Sequence, residues 1–198
     1  MAVRTHEGPA RVPEWVVAEM PPGYETRLSE IRRLSADLDE MDGIGRVLWE
    51  GGEHLRNAVR AVFGAVKCEV EPAPDPAGPI VVKIGGPHRL VVLVSEAAAP
   101  LRKTDEDLAR VFRAVQSAGA DDRVVLVAGN DPAKAPADRP DPADPAARTM
   151  IERMGANLVT GATLFKLWRL SYEDAPKARK LLEALHAQDG GLVPVPAR

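Results

Sequence analysis

The sequence predicts an α/β domain: a mixed central β-sheet flanked by helices, with an N-terminal helical extension. Three observations predict it. Residues 90–94 (LVVLV) and 123–128 (RVVLVA) are short, continuous apolar runs of the kind that strands buried on both faces require. Between them, Leu108, Val111, Phe112 and Val115 recur at helical spacing. Strand, helix and strand therefore follow in the order that a parallel crossover needs. Ahead of them, residues 66–71 (VKCEVE) alternate outward Lys67, Glu69 and Glu71 with inward Val66, Cys68 and Val70, as a strand with one wet face does.

Taken in order, residues 1–23 carry Pro9, Pro13, Pro21 and Pro22 without periodicity and read as a flexible arm. Trp15, Val16 and Val17 are expected to dock that arm on the domain or on a partner subunit. Over 25–41, Leu28, Ile31, Leu34, Leu38 and Met41 recur every three or four residues among charged ones, which predicts an amphipathic helix ending near Gly43. Ile44, Val47, Leu48 and Trp49 form an apolar knot before Gly51 and Gly52. A helix over 53–63 follows, with Leu55, Val59, Val62 and Phe63 on one face and Gly64 as its terminator.

Pro72 closes the alternating strand and residues 71–78 (EPAPDPAG) form a loop. IVVKI and RLVVLVS read as strands joined through the reversal GGPH. Thr104 with Asp107 predicts a capping box for the next helix, which Gly119 ends. The Pro- and Asp-rich segment 131–147 reads as a surface loop without a core of its own. A short helix over 148–154, a strand over 156–160, a helix from Thr163 and a last helix over 171–186 complete a single domain spanning 24–188. Residues 189–198 form a C-terminal tail.

The composition is that of a globular chain of 198 residues, 45% apolar and 28% charged. With 26 Lys plus Arg against 29 Asp plus Glu, the net charge is -3, which disfavours nucleic acid as a partner without excluding it. One cysteine, Cys68, allows no intrachain disulfide and reads as a strand residue. No apolar run reaches the roughly 18 to 20 residues of a membrane span and no signal-peptide pattern opens the chain, so a cytoplasmic location without a membrane partner is expected.

Dedicated chemistry is sparse. There is no phosphate-loop or dinucleotide fingerprint, and GIGR lacks the third glycine and the preceding strand. His6, His54, His88 and His186 are expected to lie scattered on the surface, with no zinc-type spacing among them. Neither a GxSxG elbow nor a plausible nucleophilic cysteine is present. No catalytic, cofactor-binding or metal-binding residue is assigned from the residues, and no cofactor is expected.

LWEGGEHLRNAVRAVFGAVKCEVE, the strand at 90–94, RVVLVAGN, PADRP and NLVTGATLFKLW together resemble the restriction-endonuclease-like, PD-(D/E)xK, nuclease superfamily, and in particular its small prokaryotic members; the match spans residues 48–168. The resemblance implies a restriction-endonuclease-like core. It also implies an acid opening the first hairpin strand, an acid, a spacer and a lysine ending the next, and a Glu on the preceding helix, which jointly hold Mg²⁺ and activate water. In this chain those positions fall on Pro79, Leu93, Ser95 and Arg56. Proline and leucine offer no oxygen ligand to a hard cation. The expected function is a catalytically inactive nuclease-like domain serving as a protein-interaction or assembly module, a self-associating homodimer.

Two other functions stay open. A nuclease could use relocated carboxylates drawn from Glu50, Glu53, Glu69, Glu71, Asp75 and Glu96. A non-catalytic DNA- or RNA-binding protein would fold Arg56, Arg60, Arg102, Arg110 and Arg113 into one positive stripe. Asn130 and Arg139, which match family positions, are expected to fix loops by bonding backbone carbonyls.

Overall fold

A computed structural model describes residue 16 and residues 19–72, 75, 78–97 and 100–194. Trp15 and Val17, expected to dock the arm, lie outside the described residues. The chain divides into two compact units, Met1–Met41 and Asp42–Arg198. Helix α1 (Tyr24–Gly45) extends beyond Gly43, and burial along it is confined to Ile44 and Gly45. No helix among the described residues is long and apolar enough to cross a membrane.

The second unit is built on a six-stranded mixed sheet in the order β1 (Glu69–Val70), β2 (Ile80–Gly85), β3 (His88–Val94), β4 (Asp122–Ala128), β5 (Asn157–Thr160) and β6 (Gly191–Leu192). β1, β2 and β3 form an antiparallel meander, and β3 through β6 are parallel. The helices are α2 (Gly52–Ala65), α3 (Glu106–Ser117), α4 (Pro145–Arg153), α5 (Gly161–Glu173) and α6 (Ala175–Ala187).

Strand alternation divides the core into two layers. Ile80, Val82, Leu90, Val92, Val125, Val127 and Val159 pack against Leu55, Val59, Val62 and Phe63 of α2 and against Leu164, Leu167, Leu182 and Leu185 of α5 and α6. On the opposite face Leu93, Val124, Leu126 and Leu158 meet Leu108 and Val111 of α3 and Ile151 of α4. Each fully buried branched side chain of this kind contributes about 1.5–3 kcal/mol.

Helix ends depart from the expected ones for physical reasons. α2 runs past Gly64 and stops where Lys67 takes a left-handed conformation (φ 64°). Its N–H donates to the Gly64 carbonyl and that of Cys68 to Phe63, the paired bonds of a Schellman turn. That turn consumes residues expected in the alternating strand, so β1 keeps only Glu69 and Val70. Asp105, not Thr104, occupies the N-cap position of α3, which frees Asp107 from capping. Phe112 is exposed, because the buried face follows Leu108 and Val111 and turns away from it.

Thr160 caps α5 and Asp174 caps α6, where Thr163 and Ser171 were expected to begin them. Ser171 instead donates to the Trp168 carbonyl within α5. The segment 131–147 is only partly a surface excursion: Pro142 and Ala143 are buried, Leu101 bridges to Ala143, and Asp144 caps α4 through the Ala147 N–H at 2.6 Å. The expected tail contributes β6, and Val193 donates to Leu158 at 2.8 Å.

Candidate functional site

The register Ile80↔Val92 of the β2–β3 pair sets Pro79, one step further, level with Leu93. Both line a cleft of about 280 Å³ with Gly78, Arg110 and Arg113. Just beyond β3, the Ser95 N–H extends the ladder to the Val127 carbonyl at 2.8 Å. Its hydroxyl donates to Asp107 Oδ2 at 2.5 Å and accepts from the Ala97 N–H at 3.0 Å. Arg110 donates to the other Asp107 oxygen at 2.9 Å and reaches the Val94 carbonyl at 3.3 Å. Ser95 and Asp107 are 1% and 6% exposed, so this lock is built into the interior.

Arg56 comes to the same place from α2 and donates to the Gly78 carbonyl beside Pro79. Its guanidinium pKa is held below the ordinary value, first by burial and then by the neighbouring Arg110 and Arg60; Glu96 and Asp75 oppose the shift. A second cleft, of about 580 Å³, lies over it and is lined by Glu53, Arg56, Asn57, Arg60, Val94 and Glu96. Pro79, Leu93 and Ser95 therefore lie together at one end of β2 and β3, and Arg56 reaches the same end from the opposite face of the sheet. The arrangement offers guanidinium groups and backbone carbonyls. The Asp107 carboxylate at its base has both oxygens engaged.

The other carboxylates considered do not all gather in one place: Glu53, Glu96 and Asp75 lie around Arg56, away from the pair on β1. Glu69 and Glu71 hold Lys83 at 2.7 and 3.6 Å, and these contacts raise the lysine pKa. Glu96 is exposed and lines the second cleft with Glu53. Among the described residues no three His, Cys, Asp or Glu side chains stand close enough together to hold a metal ion. Cys68 is half-buried, and burial pushes its thiol pKa up, away from thiolate chemistry.

The histidines are not all scattered as expected: the His88 and His186 rings lie 4.4 Å apart, and His186 Nε2 is 2.9 Å from the Asp121 carbonyl. His6 lies outside the described residues. Asn130 donates to the Pro140 carbonyl at 2.8 Å, and Arg139 donates to the carbonyls of Leu48 and Lys134, so both fix loops. Of the expected positive stripe, Arg56, Arg60 and Arg110 gather and Arg113 shares the first cleft with Arg110. Arg102 lies exposed in the segment before α3, its N–H on Asp105.

Sequence reasoning missed Asp107, which it assigned to a cap. The available signal was its i, i+3 spacing from Arg110 next to the buried Leu108 and Val111. In comparison with known proteins, the chain matches no protein-family model, no curated protein and no solved structure.

Proposed function

We propose that the chain is a catalytically inactive, restriction-endonuclease-like domain that acts as a self-associating protein-interaction module. One observation carries this reading. Of the four positions at which the resemblance puts metal-binding acids and a lysine, Pro79, Leu93 and Ser95 lie together at one end of β2 and β3, Arg56 reaches that end from the other face of the sheet through the Gly78 carbonyl, and none is an acid or a lysine. The order helix, antiparallel meander, helix, parallel strand supports the same frame. A buried hydrogen-bonded serine cannot polarise a phosphoryl group or hold a divalent cation as a carboxylate–lysine set does. The interaction role is supported by the apolar side chains that α1 exposes.

The test is incubation of the purified chain with single- and double-stranded DNA and RNA in Mg²⁺ or Mn²⁺. No cleavage above a metal-free control is expected. Metal-dependent cleavage that disappears in Glu96→Ala or Glu69→Ala would overturn the inactive reading in favour of relocated carboxylates.

A second reading has its own observation. Arg56 and Arg60 line one cleft and Arg110 and Arg113 the other, and the Arg56 pKa is held down first by burial and then by its neighbours Arg110 and Arg60; like charges are gathered this way where a polyanion balances them. Non-catalytic nucleic-acid binding at these clefts predicts salt-sensitive retention of an oligonucleotide that Arg60→Glu with Arg113→Glu abolishes. Retention unchanged by that pair of substitutions removes it.

A further inference from the structure

Resting on the self-association proposed above, we infer that α1 pairs antiparallel with α1 of a second copy of this chain. Ile31, Leu34, Leu38 and Met41 are spaced three, four and three residues apart, which is the a, d, a, d seam of a heptad pattern. They are 54%, 47%, 59% and 43% exposed. Four large apolar side chains on one seam form a face that a second helix covers by knobs-into-holes packing.

Charge selects the occupant and its direction. Arg27, Arg32 and Arg33 lie in the first half of the helix, interleaved with Glu25 and Glu30. From Leu34 to Gly45 the charged residues are Asp37, Asp39, Glu40 and Asp42, with no Lys or Arg among them. Acids in the last turns oppose the helix dipole, which favours cations there. A single helix leaves that conflict standing. A second copy running the other way answers it by bringing its own arginines alongside.

The heptad makes the match specific. Setting Ile31 level with Met41 of the second copy sets Leu34 level with Leu38 and closes a two-fold near Ala36. Arg32, at position b, then flanks the side carrying the second copy's Asp39 and Asp42, at b and e. Arg33, at c, flanks the side carrying its Asp37 and Glu40, at g and c. The parallel arrangement instead puts Asp37 against Asp42 and arginine beside arginine. Within one chain, Arg33 already meets Asp37 at 2.9 Å on the exposed surface. Such a pair is weak enough to be exchanged or shared. Asp39, Glu40 and Asp42 make no ion pair among the described residues.

The test uses the full chain. Light scattering across protomer concentrations up to about 100 µM is expected to show a dimer that weakens with added salt. Leu34→Asp with Leu38→Asp is expected to give monomers with unchanged helix content by circular dichroism. Arg32→Glu with Arg33→Glu is expected to weaken dimerisation by about tenfold or more at low salt, and adding Asp39→Lys and Glu40→Lys to restore it. Spin labels on Thr26→Cys in a Cys68→Ala background are expected about 30 Å apart along the axis, from 1.5 Å per residue, against close approach in a parallel pair. A wild-type monomer throughout would overturn both the self-association reading and this inference. A dimer indifferent to the seam and charge variants, or a short Thr26→Cys separation, overturns only the antiparallel pairing.

Discussion

The Ser95 hydroxyl lies 2.5 Å from Asp107 Oδ2, at the position where the resemblance implies a lysine, and the second Asp107 oxygen takes Arg110. What stands there is a closed hydrogen-bond network joining the end of β3 to the first turn of α3. Ser95→Ala removes one donor from a buried carboxylate and is expected to cost about 1–3 kcal/mol. Asp107→Ala strands both Ser95 and Arg110 and is expected to cost more. Urea unfolding of the two single variants and the double variant checks this; the losses are expected to be less than additive, because both substitutions break the same contact.

Gly161 opens α5 where its backbone passes over the carbonyl of Val47, and a methyl group there would overlap that oxygen. In an open helix, Gly→Ala stabilises by about 1 kcal/mol. Here Gly161→Ala is expected to destabilise by about 2 kcal/mol or more, because the clash is with backbone and cannot be relieved by a rotamer change. Thermal unfolding of Gly161→Ala beside Gly64→Ala, whose added methyl meets nothing within 4 Å, separates close approach from propensity.

These two sites show what the sequence exposes and what it hides. The parallel pairing of β3 with β4 was legible because 90–94 and 123–128 are apolar without alternation and a helix lies between them. That Pro79 and Leu93 are neighbours follows from the hairpin read at IVVKI and RLVVLVS, whereas nothing local marks Arg56 as reaching the same end of those strands. The role of Asp107 was hidden by a competing local pattern: Thr104 and Asp107 have the spacing of a capping box, and only tertiary packing turns Asp107 inward. β6 was hidden because it is two residues long and one of them, Gly191, is a poor strand former. Asn157 recruits that segment by accepting the Gly190 N–H at 3.1 Å.

Arg139 ties the segment after β4 to the turn before α2 through the Leu48 carbonyl and closes its own loop on Lys134. Burial holds its guanidinium pKa below the ordinary value, which marks it as an anchor more than a surface charge. Arg139→Ala is expected to raise amide hydrogen exchange across 131–141 and 46–50 while leaving the sheet protected. Arg139→Lys is expected to rescue little, because one ammonium does not reproduce the guanidinium fork.

Asp122 links the start of β4 to β3, accepting from Arg89 at 2.7 and 2.9 Å and from the Gly119 N–H at 2.8 Å. The Arg89 hydrogen bonds hold its carboxyl pKa below the ordinary value against the opposing effect of burial, and the Gly119 N–H adds to them. A carboxylate whose folded pKa lies below its unfolded value, about 3.9, adds stability that is fully present above that value. The contribution drains away as pH falls through the folded pKa. Asp122→Asn keeps an oxygen for Gly119 and loses the charge toward Arg89, so it is expected to be less stable than wild type at pH 7 and to approach it in acid. Denaturant unfolding at neutral pH and near pH 3 measures the gap, which a purely steric role for Asp122 would leave constant.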